Sequence, residues 1–404
     1  MKIVVLKFGG TSVGTIDRIK KVANLISNYA KKKYNIIVVS SAMSGVTNDL
    51  ENKSKNLSKN FSYAEYDALV SSGEQAACAL IAGRLIHKGY NSRSWMGWQI
   101  PIITNNKHKY AKINQIYKSK IIKYLKSGGI PIIAGFQGVN GEGRITTIGR
   151  GGSDATAIML AKFFNAKRCI IYTDVEGVYT TDPKKLQKAK KIKVISYEEM
   201  LEMASLGAKV MQPVSIQDAR LSRIDIEVKS SFKNKPGTLI TKRKNIINHN
   251  IITGISSTQN DAKVTLVGVK DKPGIAASIF KPLSESSINV DMVVQNISAN
   301  GKETDLTFTI KKDDLNKTRK ITNLNKKIKF KKFLFDKNVS KVSIIGVGMT
   351  TTPGVTYRMF QTLAKHKINI QVISTSEIKI SVLINKKNIS KAISALHKEF
   401  KLEI

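Results

Sequence analysis

Gly149, Gly151 and Gly152 crowd around Arg150 in the stretch TTIGRGGSD, which closes on Ser153 and Asp154. Glycines this dense permit positive φ and let a ligand approach backbone that carries no Cβ. The guanidinium of Arg150 is a planar fork of donors suited to a carboxylate or a phosphate. The stretch follows an apolar strand-like run, GIPIIAGFQGV, and precedes a helical one, ATAIMLAKFF. A glycine turn feeding a helix N-terminus is where anions bind, because unpaired N–H groups and the helix dipole point there together. A tight surface turn with a solvated arginine would read the same way, so the remaining motifs decide.

Lys7 precedes Phe8, Gly9 and Gly10 at the end of the first strand-like run, with Thr11 and Ser12 following. A lysine at a strand's carboxyl end, backed by glycines, is placed to hold a transferring phosphoryl group. No GxxxxGK[ST] pattern occurs, so this is not a Walker A loop. Ser41 and Ala42 end another such run, with Gly45 and Thr47 next. Ser72-Gly73-Glu74-Gln75 opens the helical run AACALIAGRLI. There Glu74 either offsets the helix dipole from a first turn or binds a substrate ammonium. Thr173 and Asp174 end the run CIIYTD, and a Gly/Pro loop follows with Tyr179 and Asp182, a setting for nucleotide or metal contact. Lys209, after Leu-Gly-Ala, offers a second cation toward phosphate.

The chain of 404 residues is long enough for two or three domains at ~100–200 residues each, and elements that could carry these residues alternate over its first ~245 positions. IVVLKFGG, NIIVVSSAM, PIIAGFQGV, RCIIYTDVEGVYT and RIDIEVKS read as strands, apolar enough to be covered on both faces. Helices are expected over Asp17–Lys31, Ala64–Lys88, Ala111–Lys126, Asp154–Asn165 and Tyr197–Ala208. The βαβ pattern predicts an α/β domain with a largely parallel sheet. The Lys- and Asn-rich stretches Glu51–Asn60 and Lys233–Asn250 read as exposed loops or linkers.

Beyond residue ~260 an internal repeat appears. KVTLVGVKDKPGIAASIFKPLSESSINVDMVVQNIS from Lys263 resembles KVSIIGVGMTTTPGVTYRMFQTLAKHKINIQVISTS from Lys341. Each copy reads strand, Pro-Gly loop, helix, Ile-Asn turn, strand. Each Pro-Gly pair stands before a helix, where free N–H groups would suit a small ligand's carboxylate; a plain dimerisation module is the other reading.

Composition narrows the classes. A net charge of +38 suggests nucleic acid, yet only 11 of the 67 basic residues are arginine and the lysines are spread evenly. No nucleic-acid motif is present, so the charge reads as a solvated surface and no specific nucleic acid is expected. No apolar run reaches the ~18–20 residues of a membrane span. MKIVVLKFGG is too short in its apolar core for a signal peptide and reads as the first strand. Two cysteines, Cys78 and Cys169, make no disulfide framework, and the cytoplasm is the expected compartment. The five histidines show no metal-ligand spacing.

Taken as a set, KFGGTSV, SSGE, GFQGV, TTIGRGGSD, YTDVEGVYTTDP and SYEEMLEMASLGAKV resemble, in order and spacing, the aspartate kinases of the amino-acid kinase superfamily. The tail repeat resembles their paired ACT regulatory domains. The resemblance covers essentially the whole chain. It implies an α/β amino-acid kinase fold over 1–245, with a largely parallel sheet covered by helices. Two ferredoxin-like βαββαβ ACT domains are then expected over 262–335 and 340–404. The expected enzyme is monofunctional and oligomeric through its ACT domains, with ATP and Mg²⁺ (bound mainly through ATP) as cofactors and no metal site of its own.

By the same resemblance, Lys7 would stabilise the γ-phosphoryl group, and Phe8, Gly9 and Gly10 would border the phosphates. Glu74 would take the L-aspartate ammonium and Arg150 its α-carboxylate. Ser41, Ala42, Thr47, Gly152, Ser153 and Asp154 would border the acceptor. Thr173, Asp174, Tyr179 and Lys184 would hold ATP, with Lys209 near its phosphates. An inhibitor, lysine and/or threonine, would sit against Asp271, Gly274, Ile275, Ala276, Asn289, Asp291 and Gln295 of the first copy. Thr352, Gly354, Val355, Thr356, Asn369, Ser376 and Glu377 of the second would complete its site. A side-chain carboxylate with a pKa near ~4 is already ionised at neutral pH. Catalysis then needs no general base, only cations and donors that bring two anions together.

Overall fold

A computed structural model describes residues 2–207, 210–246, 250–297, 303–325 and 328–403. The chain divides into two compact units, 1–178 with 191–248, and 179–190 with 249–404.

The first unit is built on an eight-stranded sheet. Its order is Val194–Ser196, Thr238–Thr241, Ile226–Ser230, Arg168–Thr173, Ile3–Phe8, Asn35–Ser40, Ile130–Ala134 and Ser92–Trp95. All neighbours run parallel except Ile226–Ser230 and Thr238–Thr241. Ile3–Phe8 and Ile130–Ala134 are buried at every residue, which is why their sequences show continuous apolar runs rather than alternation. A smaller sheet orders Ile113–Ile116, Ile102–Thr104, Gln137–Val139 and Ile145–Thr147. Helix Ile16–Lys31 shows how the covering elements form. Thr15 caps it by accepting from Arg18 N, Asp17 and Lys31 match the dipole, and Ile19, Val22, Ala23 and Ile26 make one buried stripe.

Several elements differ from expectation. Val46–Leu57 is helical where Glu51–Asn60 reads as loop; only Ser54 on it is buried, so it carries almost no apolar stripe to read. Thr238–Thr241 is a strand inside the expected linker 233–250. Ala111–Lys126 splits into strand Ile113–Ile116 and helix Ser119–Lys126. PIIAGFQGV also splits between the two sheets, because Phe136 turns the chain at φ +67°. The strand beginning RCIIYT stops at Thr173. Helix Tyr63–His87 runs unbroken, so Glu74 lies mid-helix and not in a first turn, which removes its dipole-compensating reading.

The second unit holds the repeat as two four-stranded antiparallel sheets, each with its own core. The first orders Asp291–Ile297, Glu303–Lys311, Asp261–Lys270 and Lys332–Asp336, covered by helices Ile275–Glu285 and Leu315–Leu324. The second orders Gly254–Thr258, Val339–Ile345, Lys379–Asn385 and Ile370–Ser376, with helices Val355–Lys365 and Ile389–Glu399. The second copy thus ends on a helix, and its edge strand, Gly254–Thr258, precedes the first copy in sequence. Among the described residues no helix is long and apolar enough to cross a membrane.

Candidate active site

The carboxyl ends of Ile3–Phe8, Asn35–Ser40 and Ile130–Ala134 open onto a cavity of about 740 Å³, the edge at which parallel sheets hold ligands. Lys7, Gly10, Ser41, Ala42, Thr47, Glu74, Arg150, Gly152, Ser153 and Asp154 all line it. These residues come from positions up to 147 apart in the chain and from separate motifs, so the fold has assembled them.

Two buried charges face each other across its floor. Lys7 Nζ lies 2.5 Å from Asp154 Oδ1, both side chains 10% exposed. Lys7 ends the first strand, and Asp154 stands in the first turn of helix Gly152–Phe163. Glu74, 4% exposed, accepts from the Ala42 N–H at 3.1 Å through Oε1, while Oε2 is buried with no hydrogen-bond partner among the described residues. Burial pushes its carboxyl up to about 7, against the lowering pull of the Ala42 and Glu74 backbone N–H groups and of Lys7. A buried carboxylate with one oxygen unsatisfied is a place for a cation that can donate.

Arg150 also lines this cavity, exposed and without a hydrogen bond or ion pair among the described residues. Its loop is shaped by Gly149 at φ +84° and Gly151 at φ +79°. Gly151 also caps the helix, and a Cβ there would meet Gln212 Cγ at 2.7 Å. The N–H groups of Gly152 and Asp154 are spent on the carbonyls of Gly149 and Gly151. An anion at this turn would therefore meet the guanidinium and the helix dipole more than a ring of free N–H groups.

Other residues of the sequence reading lie apart. Phe8 is buried, stacked on Tyr172 with ring centroids 4.9 Å apart, and its carbonyl accepts from Ser41 N. Gly9 N donates to the Tyr172 carbonyl, so its N–H is already engaged. Thr173 and Asp174 are outside the cavity, the hydroxyl donating to the carboxylate at 3.2 Å. Tyr179 and Lys184 fall within the second unit, and Lys209 lies outside the described residues. Conversely, Asn48, Glu51, Tyr66, Lys109, Tyr110, Phe136 and Thr147 line the cavity without having been singled out. Asn48 and Glu51 ride on a helix partly read as loop, and Lys109 and Phe136 reach it through left-handed backbone that nothing in their residue types announces.

In the second unit, Gly274 and Gly354 take φ +84° and +86° at the N-termini of Ile275–Glu285 and Val355–Lys365, with no side-chain cap. Ile275 and Val355 are buried in their cores, leaving only main chain there. Asp271, Asn289, Gln295, Thr356, Asn369, Ser376 and Glu377 are exposed, and Ala276 and Thr352 are half-buried. Asp291 pairs with Lys341 of the other copy; desolvation pushes its carboxyl upward, but Lys341 outweighs this and holds it below the ordinary range.

Comparison with known proteins sets the class first. The family model "Amino acid kinase family" matches residues 2–230, and that of the ACT domain matches 264–323 and 342–400. An aspartate kinase of Stutzerimonas stutzeri is 45% identical over 405 residues, covering 100% of this chain and 98% of its own length. An aspartokinase of Geobacillus stearothermophilus is 42% identical, again over 100% of this chain and 98% of its own. Among solved structures, E. coli aspartokinase III in complex with aspartate and ADP is 26% identical with a TM-score of 0.79, over 98% of this chain and 99% of that one. The same protein with lysine and aspartate gives a TM-score of 0.82 over 99% and 100%. The chain belongs to the aspartate kinases of the amino acid kinase family.

Proposed function

We propose that the cavity transfers the γ-phosphoryl group of ATP to the side-chain carboxylate of L-aspartate, giving 4-phospho-L-aspartate and ADP. The carrying observation is Glu74 Oε2, buried and unpartnered, in the same cavity as an unengaged Arg150. A free α-amino acid supplies both missing partners, an ammonium for Glu74 and an α-carboxylate for Arg150. Ser41, Ala42, Thr47, Gly152 and Ser153 close around it, leaving the β-carboxylate toward Lys7.

In the transfer, a β-carboxylate oxygen forms the new bond to Pγ and the bond from Pγ to the β–γ bridging oxygen breaks, that oxygen leaving on ADP. Lys7 meets the charge that gathers on the phosphoryl oxygens, and Asp154 aims its ammonium. No proton has to move. Gly10 allows phosphates to approach closely, and Thr173, Asp174, Tyr179 and Lys184 are proposed for the nucleotide. Mg²⁺ would enter on the phosphates of ATP. There it would neutralise phosphate charge.

Turnover of ATP dependent on L-aspartate, with the acyl phosphate trapped as hydroxamate, tests the reading. Stimulation by N-acetylglutamate or UMP in place of aspartate would overturn it. For the second unit we infer feedback inhibition by lysine and/or threonine, bound where Gly274 and Gly354 leave helix N-termini uncapped, within a homo-oligomer. Adding each amino acid to that assay, and measuring mass in solution, tests both parts.

A further inference from the structure

Helix Tyr63–His87 buries two carboxylates seven residues apart, two turns along and so on one face. Glu74 keeps an oxygen without a partner. Asp67 is its opposite. Fully buried, it accepts from His108 Nδ1 at 2.7 Å, from the Lys109 N–H at 3.1 and 3.2 Å, from the Thr147 N–H at 3.1 Å and from the Thr147 hydroxyl at 2.5 Å. No step of the transfer uses it, and it lies outside the cavity lining.

What Asp67 joins is informative. Its own helix carries Glu74. Thr147 ends the strand that leads, three residues on, to Arg150. His108 and Lys109 belong to the connection that brings Lys109 and Tyr110 into the cavity. Lys109 takes φ +65°, a left-handed conformation that a lysine adopts only when surroundings impose it. Asp67 holds its N–H, and the rings of Tyr66 and Tyr63 hold its Nζ at 4.2 and 4.6 Å. That connection is seated on the arginine loop, since a Cβ on Gly149 would meet the Lys109 carbonyl at 3.1 Å and the Tyr110 ring at 3.4 Å. A buried carboxylate stays in place only while its donors are satisfied, so these three segments are locked to one another through a single side chain.

We infer that Asp67 is a positioning residue that holds the Glu74 carboxylate and the Arg150 guanidinium as one clamp at a fixed distance from Lys7, and thereby sets the length of side chain that fits between the clamp and the phosphoryl group. This rests on the proposed roles of Glu74 and Arg150. Asp67→Asn keeps the shape but turns one acceptor into a donor facing donors. It is expected to raise the KM for L-aspartate by about tenfold or more, with the KM for ATP within about twofold, as small displacements of binding groups do. Selectivity for L-aspartate over L-glutamate should fall along with it. His108→Leu, which removes one donor, should shift the same constants in the same direction by less, and His108→Asn, which restores a donor near Nδ1, should bring them back; this pair decides the matter if Asp67→Asn fails to fold. Equal rises in both KM values, or a lowered melting temperature with the aspartate KM and selectivity unmoved, would overturn the positioning role. An Arg150→Ala control separates the two readings. If it leaves the aspartate KM unchanged, the clamp itself is wrong and the inference falls with it.

Discussion

Glu74 carries the most consequential single environment in the protein. Its carboxyl titrates near 7 chiefly because burial penalises the charged form. The folded-state value lies above the ordinary 4.5, so the unliganded protein draws most stability from this group below about 4.5 and loses that contribution as pH climbs to about 7. A bound ammonium reverses the penalty, because it supplies the partner that Oε2 lacks. The thermal shift produced by L-aspartate should therefore grow between about pH 6 and about pH 8, and the KM for aspartate should fall over the same range. In Glu74→Gln both pH dependences should flatten, with aspartate binding weak throughout. A shift as large at the lower pH as at the higher would mean that the ammonium is held elsewhere. Lys7 shows the complementary arrangement, a buried side chain whose partner is already in place, Asp154 Oδ1 standing 2.5 Å from its Nζ.

At the scale of elements, the site depends on one loop being held in a conformation that only glycine takes easily. Gly151 sits at φ +79°, and the space a side chain would need is filled by Gln212 and by the Ser215 hydroxyl. Gly151→Ala should cost about 1–2 kcal/mol of stability from the left-handed backbone alone, and more from the contact with Gln212. Denaturant midpoints would measure the first effect. A raised aspartate KM with ATP binding retained would report displacement of Arg150. A variant as stable and active as the parent would show that the loop relaxes freely. That this loop borders the cavity was legible in TTIGRGGSD only beside Lys7 and Glu74, because closely spaced glycines around an arginine also make a plain surface turn. The strand bearing Lys7 and the one leading into Ser41 were legible as continuous apolar runs followed by small residues. Val46–Leu57 was not, since a helix with Ser54 as its one buried residue shows no stripe, although it brings Thr47, Asn48 and Glu51 to the cavity. Asp67 escaped for a different reason. Its partners are 41 and 80 positions away, and nothing local to the helix distinguishes a saturated carboxylate from a solvated one.

Across the whole molecule, the two repeats are alike in sequence and unlike in charge. Lys263 and Lys341 occupy equivalent positions on the first strands of the two copies, and Asp291 and Gln371 both follow the repeated asparagine by two residues. The contacts cross over: Lys263 Nζ donates to Gln371 Oε1 at 2.6 Å, and Lys341 pairs with Asp291. One crossing is neutral on its acceptor side and the other is an ion pair, so the two crossings differ in their affinity for a positive charge. Lys341 is 7% exposed and already occupies the Asp291 carboxylate that a cationic effector side chain would seek, whereas Asp291 itself is 60% exposed and can be solvated alone. Lys341→Met keeps the apolar bulk and removes the competing ammonium. It should lower the concentration of lysine needed for half-inhibition while leaving threonine inhibition, which brings no second cation, where it was. The uninhibited rate should not change, because neither residue belongs to the transfer cavity. Equal shifts for both amino acids would mean that the substitution acts through packing between the copies, and no shift for lysine would remove Asp291 from the effector site.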